Sequence, residues 1–145
     1  DIHEILLLKL KNNIEGKCIN DGYVIKNTIE IINISLGKLM IINNLSKIVY
    51  NIKYTAKLLF PTVDDKIDCY VNSYNKMGTV AYIKIGDFIE GYDGGNTFSD
   101  SPFIIIIPNT DNEHNINEKV TVKIKANRIK YNSSTIQIIA EIIKE

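Results

Sequence analysis

The chain has 145 residues, of which 45% are hydrophobic and 23% charged, a composition typical of a globular protein with a sizeable core. Its formal net charge is zero, with 17 basic and 17 acidic residues, which argues against binding nucleic acid by bulk charge alone. No apolar run reaches the ~20 residues that cross a bilayer, and no signal peptide is recognised. We therefore expect a protein that has no membrane contact and is not secreted.

An amphipathic helix is predicted at the start of the chain. Four apolar residues recur at a spacing that places them on one side of a helix. We expect the helix to end near residues 12–13 and its apolar stripe to cover a sheet. The stripe consists of Ile2, Leu6, Leu10 and Ile14.

Short β-strands are predicted to follow the helix. The longest covers residues 48–58, where apolar and polar residues alternate and a slip at residues 51–52 indicates a bulge. Pro61 ends this pattern, because proline cannot donate to a strand ladder. We therefore predict an N-terminal unit, residues 1–60, with one helix against an antiparallel sheet. Its earlier strands are expected at residues 15–25, interrupted by a turn at 20–22, and at residues 28–34 and 39–42.

After Pro61, short strands recur at regular spacing, which is typical of a small β-barrel. Their lengths favour a five-stranded barrel of the oligonucleotide/oligosaccharide-binding (OB) type over residues 61–145. The whole chain is thus predicted to be α+β and mostly β. Five strands are expected at residues 67–74, 79–85, 103–107, 120–126 and 135–143, with a further short one at 88–90 and a polar loop at 111–118.

Aromatic and basic residues of the predicted barrel form a candidate nucleic-acid face. OB folds bind single strands by stacking bases on aromatic rings and placing basic residues along the backbone. Strand alternation puts Tyr82 and Lys84 on one outward face, and Tyr70 and Tyr74 together on an outward face. Ordinary solvated strand faces are an equally good interpretation, because the net charge is zero. The candidate face comprises Tyr70, Tyr74, Lys76, Tyr82, Lys84, Lys123 and Arg128, with Lys125 and Lys130 beside them.

No arrangement of residues in the sequence indicates catalysis, a cofactor or a metal ion. Asp64, Asp65 and Asp68 are close in sequence, but a strand points residues 65 and 68 to opposite faces. Cys18 and Cys69 lie in apolar strands without a ligand-spaced partner, so we interpret them as buried thiols. We therefore expect a non-catalytic protein without a cofactor.

An ordered set of motifs resembles the larger stalk subunit of multisubunit DNA-directed RNA polymerases, the seventh-subunit family of eukaryotic and archaeal enzymes. The resemblance extends from about residue 9 to residue 145 of the chain. The motifs are EGKC (15–18) with GYVI (22–25), IVYNIKYTAK (48–57) leading to Pro61, Val71 and NKMG (75–78) with Ile83, and Arg128 ahead of the closing strand.

The resemblance implies a division of labour between two domains. An N-terminal tip domain would dock on the polymerase core subunits near the clamp and bind a small helical partner subunit. A C-terminal OB barrel of the ribosomal S-one type would lie near nascent single-stranded RNA. The residues that match the docking part of the family are Gly22, Tyr23, Ile25, Tyr50 and Tyr54.

The source and one alternative function stay open at this point. Ile, Asn and Lys, which AT-rich codons encode, dominate the composition. This suits a large DNA virus with its own polymerase, and hence a virion and host-cytoplasm location, or an AT-rich eukaryote, and hence the nucleus. The alternative is a free-standing OB protein that binds single-stranded RNA or DNA. A stalk subunit should expose an apolar docking surface, whereas the alternative requires salt-sensitive binding through Tyr82 and Lys84.

Overall fold

The structure is a computed structural model that describes residues 1–108 and 114–143. In these two ranges a single α-helix is followed by strands only, apart from two short 3-10 turns. The elements are α1 (Ile2–Ile14), β1 (Cys18–Ile19), β2 (Gly22–Val24), β3 (Glu30–Ile34), β4 (Lys38–Ile42), β5 (Leu45–Val49), β6 (Ile52–Thr55), β7 (Leu58–Leu59), β8 (Lys66–Asn75), β9 (Gly78–Tyr82), β10 (Phe103–Ile107), β11 (Lys119–Arg128) and β12 (Ile136–Ile142).

The predicted N-terminal helix is present as α1. Its N-cap is Asp1, whose carboxylate accepts a hydrogen bond of 3.1 Å from the backbone N–H of His3, and capping of this kind satisfies a free donor of the first turn. The helix contacts β3 along one side, but none of its residues is fully buried. Ile5 and Leu8 stay exposed, so the apolar side chains of α1 are only partly covered.

Three small antiparallel sheets follow the helix: β1–β2–β7, β3–β6 and β4–β5. The prediction of one long strand at residues 48–58 is wrong, because this stretch supplies β5, β6 and β7 to three different sheets. The bulge lies in β3, between Ile31 and Asn33, instead of at residues 51–52. Asn51 lies between β5 and β6, and Ser35 contacts its backbone there. The Ser35 Oγ accepts a hydrogen bond from the Asn51 N–H at 2.7 Å, and the Ser35 N–H donates to the Asn51 carbonyl at 2.8 Å.

The five strands β8 to β12 close into a barrel, as the sequence predicted, in the order β10–β12–β11–β8–β9. Only β10 and β12 run parallel; the other four pairs are antiparallel. This is an OB-like barrel. The short strand expected at residues 88–90 is absent, and a 3-10 turn at Ile85–Asp87 stands in its place. Of the predicted loop at 111–118, residues 111–113 lie outside the described residues.

The turn from β8 to β9 is tied to the end of β10 by a glycine. Gly78 has φ +129°, a conformation that side chains rarely adopt, and a Cβ there would lie 2.2 Å from the Ile107 carbonyl oxygen. Only glycine lets the two backbones approach this closely. The turn that carries Lys76 is therefore fixed relative to β10.

The hydrophobic core fills the barrel and extends into the N-terminal part of the chain. Alternate residues of β10 point inward and are fully buried, and Cys18, Tyr23 and Ile25 join the same cluster. The Cys18 N–H donates to the Ser133 carbonyl, and its carbonyl accepts from the Asn132 N–H, both at 2.8 Å. Residues 18–25 and the barrel therefore share one core. Cys18 and Cys69 are free, buried thiols, and burial raises the pKa of Cys69 to about 12.

Candidate nucleic-acid and docking surfaces

Tyr70 and Tyr82 face each other across β8 and β9, with ring centroids 5.8 Å apart. Tyr82 is only 5% exposed, because Phe98 packs edge-on against it at 6.2 Å between centroids. Its hydroxyl donates to Asn117 at 3.0 Å. The expectation that Tyr82 offers an open stacking surface is therefore wrong: the side chain points away from the barrel interior, but the segment after β9 folds over it.

Tyr70 is half-buried, and its ring and its hydroxyl both have partners. The Lys84 ammonium lies 4.1 Å from the centroid of the ring, close enough for a cation–π interaction. The hydroxyl donates to Asp87 at 2.6 Å, and this hydrogen bond, with burial, raises the pKa of Tyr70 to about 12. Lys84 thus covers the ring that the sequence predicted to stack on a base.

Tyr74 lies on the opposite face of β8 from Tyr70, contrary to the prediction. A register shift between Val71 and Ser73 inserts one residue and reverses the alternation. Tyr74 therefore pairs with the buried Thr79 and packs against the core. Its hydroxyl donates to the His114 carbonyl and accepts from the His114 N–H.

Salt bridges neutralise the lysines along β11. Lys119 lies 3.6 Å from Asp68, Lys123 lies 3.6 Å from Asp64, and Lys125 lies 3.0 Å from Glu141. Each of these three lysines therefore has a carboxylate beside it. A continuous basic path, which a free-standing single-strand-binding protein needs, is therefore missing along β11.

Arg128 and Lys130 lie beyond these pairs, at the end of β11, and both are exposed. Neither has an ion pair with any residue that the structure describes. The structure thus groups Tyr70, Tyr82 and Lys84 at one place, and it separates them from Arg128. The other candidate residues, Tyr74, Lys76 and Lys123, belong neither to the cluster around Tyr70 nor to the pair Arg128 and Lys130.

Three of the five candidate docking residues are buried. Gly22, Tyr23 and Ile25 lie in or beside the core, and burial is the largest cause that raises the pKa of Tyr23 to about 12. Their side chains present no surface, so the GYVI motif is explained by packing. Tyr50 is half-buried, and Tyr54 is exposed on β6.

The most exposed apolar surface belongs to the hairpin of β4 and β5, residues 38–49, which we call the arm. Its two-residue turn, Asn43–Asn44, has φ of 51° and 64°, as in the type I′ turns that match strand twist. Cross-strand pairs share a face, so one face carries Leu39, Ile41 and Ile48, and the other Met40, Ile42 and Leu45. All six side chains are exposed.

The sequence missed the arm because residues 39–42 were predicted to belong to a sheet under the helix. A signal was present: LMII is followed directly by Asn43–Asn44 and another apolar strand, which is the pattern of a hairpin. A two-stranded hairpin has no second layer, so both of its faces stay uncovered. The local pattern predicts a hairpin, but it does not say which other strands lie beside or over it.

No protein-family model and no curated protein matches this chain. Within the described ranges, no three side chains of His, Cys, Asp or Glu are grouped to hold a metal ion. The α-helix found in those ranges has 13 residues, and no helix of the described residues is long and apolar enough to cross a membrane.

Proposed function

We propose that the protein is a non-catalytic stalk subunit of a multisubunit DNA-directed RNA polymerase. In this proposal the arm docks on the polymerase core, and the barrel lies near the RNA exit path. The observation that carries the proposal is the arm, which exposes six large apolar side chains on a hairpin with a single layer. Contiguous apolar surface of this kind marks protein–protein interfaces.

The two faces of the arm limit the shape of its partner. Leu39, Ile41 and Ile48 cover one face, and Met40 and Leu45 belong to the other. A flat surface covers only one face of a hairpin, so burying both requires a cleft between two walls. Among the strands that the structure describes, β4 pairs only with β5, so its outer edge is available there to accept a strand of the partner. We therefore propose a cleft in the polymerase core as the binding site.

The exposed apolar side chains of α1 supply a second docking surface in this proposal. Ile2, Ile5 and Leu8 are exposed, at positions that lie close together on a helix. A helical partner binds such a row by laying its own apolar stripe alongside. This surface suits the small helical stalk subunit that the family resemblance implies.

The domain assignment follows the same proposal. Residues 1–60 form the tip domain, and residues 61–145 form an OB barrel of the ribosomal S-one type. The closed barrel of β8 to β12 supports the second assignment. The abundance of Ile, Asn and Lys, which AT-rich codons encode, suits a large DNA virus as the source.

A free-standing single-strand-binding protein has less support. Phe98 covers Tyr82, Lys84 covers Tyr70, and Asp64 pairs with Lys123. These contacts occupy the groups that such a protein would offer to bases and phosphates. The exposed arm also has no use in that function.

Co-purification with the polymerase core tests the proposal. The full chain carries an affinity tag and is mixed with polymerase core from the source, as wild type, as Ile41→Asp and as Ile139→Asp. Ile139 is an exposed isoleucine of the barrel, so its substitution is a matched control. We expect wild type and Ile139→Asp to retain the two largest polymerase subunits, and Ile41→Asp to retain about tenfold less, since a buried charge is costly at an interface.

Two results would contradict the proposal. The first is a wild-type chain that never retains the large polymerase subunits. The second is equal retention by wild type and Ile41→Asp, which would remove the arm from the interface.

A further inference from the structure

A small polar cleft of about 140 Å³ lies where β11 ends and β12 begins. A cleft of this size has room for a small polar group such as a phosphate. The residues that line the cleft are Arg128, Lys130, Ser133, Thr135 and Gln137. None of them is acidic.

The charge of this cleft distinguishes it from the rest of β11. Lys119, Lys123 and Lys125 each have a carboxylate partner, whereas Arg128 and Lys130 have none among the described residues. Arg128 is also the only arginine of the chain. In a protein of zero net charge, two cations without an ion pair to any described residue therefore lie at one cleft, and no described residue of its lining is acidic.

The cleft also supplies neutral hydrogen-bond donors. Arg128 and Gln137 are register partners across β11 and β12, so their side chains lie side by side. Within the described chain, the Gln137 amide and the Thr135 hydroxyl make no hydrogen bond. Together with the guanidinium and the ammonium, they are donors without acceptors. Such a set matches an anion with several oxygens.

The loop that carries the cleft is held in place before any ligand binds. The Ser133 hydroxyl donates to the Thr135 carbonyl at 2.9 Å, and the Lys130 carbonyl accepts from the Ser133 N–H at 3.1 Å. The backbone of Cys18, in β1, is hydrogen-bonded to the backbones of Ser133 and Asn132 in the same loop. Binding therefore requires little ordering of the loop, which favours affinity.

We propose that this cleft binds a phosphate group of a single-stranded nucleic acid. An arginine contacts two phosphate oxygens at once, and lysine, threonine and glutamine side chains are common further phosphate donors. A phosphate uses more of these donors than a carboxylate does. The loop between the fourth and fifth strands is one of the loops by which OB folds bind oligonucleotides. The identification of the strand as nascent RNA rests on the proposed function; the phosphate chemistry does not.

Binding of a labelled single-stranded RNA of about 12 nucleotides, a typical length for one OB fold, tests the proposal by fluorescence anisotropy with the full chain. We expect Arg128→Gln and Lys130→Gln each to weaken binding about five- to tenfold, and to reduce the slope of log K against log salt by about 0.7 per lost contact. The matched control is Lys125→Gln, which removes the same charge from the same strand. Because Lys125 is paired with Glu141, its loss should change affinity less than twofold.

Titration of the isotope-labelled chain with inorganic phosphate and with the RNA, followed by NMR, locates the site. Both ligands should shift the Arg128 side-chain N–H and the Thr135 amide, and Arg128→Gln should abolish the shifts. Equal weakening by Lys125→Gln and Arg128→Gln would overturn the proposal, as would shifts that map to Tyr70 and Lys84. Shifts with phosphate but not with RNA would overturn the nucleic-acid source. None of these results depends on the arm, so failure of the polymerase test and failure of this one are distinguishable.

Discussion

Two strands of similar composition, β4 and β10, differ in the burial of their side chains. β4 reads KLMII and β10 reads FIIII, yet Ile41 is 76% exposed and Ile105 is 0% exposed. β10 has a neighbour on each side, β9 and β12, inside a closed barrel, whereas β5 is the single described strand that pairs with β4. Local sequence favours a strand in both places, and the number of neighbouring strands decides whether its side chains are buried.

The comparison allows an estimate of what a partner would contribute by covering the arm. Complete burial of a large apolar side chain contributes about 1.5–3 kcal/mol, so six such residues represent a gross gain on the order of 10 kcal/mol when a partner covers them. The costs of association reduce this gain. In the barrel the same free energy stabilises the fold. In the arm it would become available only when a partner covers the hairpin.

Truncation of an isoleucine in each region gives the largest expected difference. Ile105→Ala should lower the free energy of unfolding by about 2–5 kcal/mol, because it leaves a cavity in a closed core. Ile41→Ala should change it by about 0.5 kcal/mol or less, as for other exposed positions. Urea unfolding followed by far-UV circular dichroism measures both. Equal losses would contradict the comparison, because they would mean that the arm packs against the rest of the isolated chain.

A smaller effect is expected on the pH dependence of stability, through Tyr70 on the outer face of the barrel. Its pKa is raised to about 12, first by the hydrogen bond to Asp87, from an ordinary value of about 10. The folded state thus favours the neutral phenol, and this stabilisation is complete below about pH 10 and lost as pH rises through about 12. Tyr70→Phe should therefore reduce the decline of stability with pH in that window, by up to one proton in slope.

Asp87→Ala provides the control, since it keeps the tyrosine and removes the hydrogen bond. Ultraviolet titration of tyrosinate should then show one tyrosine that ionises at lower pH than in the wild type. An unchanged titration would mean that the Tyr70 hydroxyl makes no hydrogen bond to Asp87 in solution. In that case the outer face of the barrel would be as open as the arm.

The sequence predicted those parts of the fold that depend on local pattern. The spacing of Ile2, Leu6 and Leu10 predicted α1, and the strand rhythm after Pro61 predicted the barrel, because alternation and helical periodicity reflect one buried face. The division of residues 48–58 among three sheets was not predicted. It depends on the pairing of β6 with β3 and of β7 with β2, which joins residues far apart in sequence and is not encoded in the local pattern.

The candidate site was predicted less well, for similar reasons. One inserted residue between Val71 and Ser73 turned Tyr74 away from Tyr70, and a bulge of this kind depends on the register with the partner strand. Phe98, which covers Tyr82, lies in a glycine-rich segment without periodicity. The grouping of Arg128 with Lys130 and Gln137 required the register of β11 against β12.

Site-specific photo-crosslinking tests the central claim, docking through the arm, most directly. A benzophenone amino acid replaces Ile41 on the arm or, as a control, Ile139 on the barrel, in the full chain bound to polymerase core. The account predicts that position 41 crosslinks to the large core subunits and that position 139 gives at least about tenfold less product, since a buried interface residue is held against its partner. Absence of crosslinks from position 41, or equal yields from both positions, would contradict it.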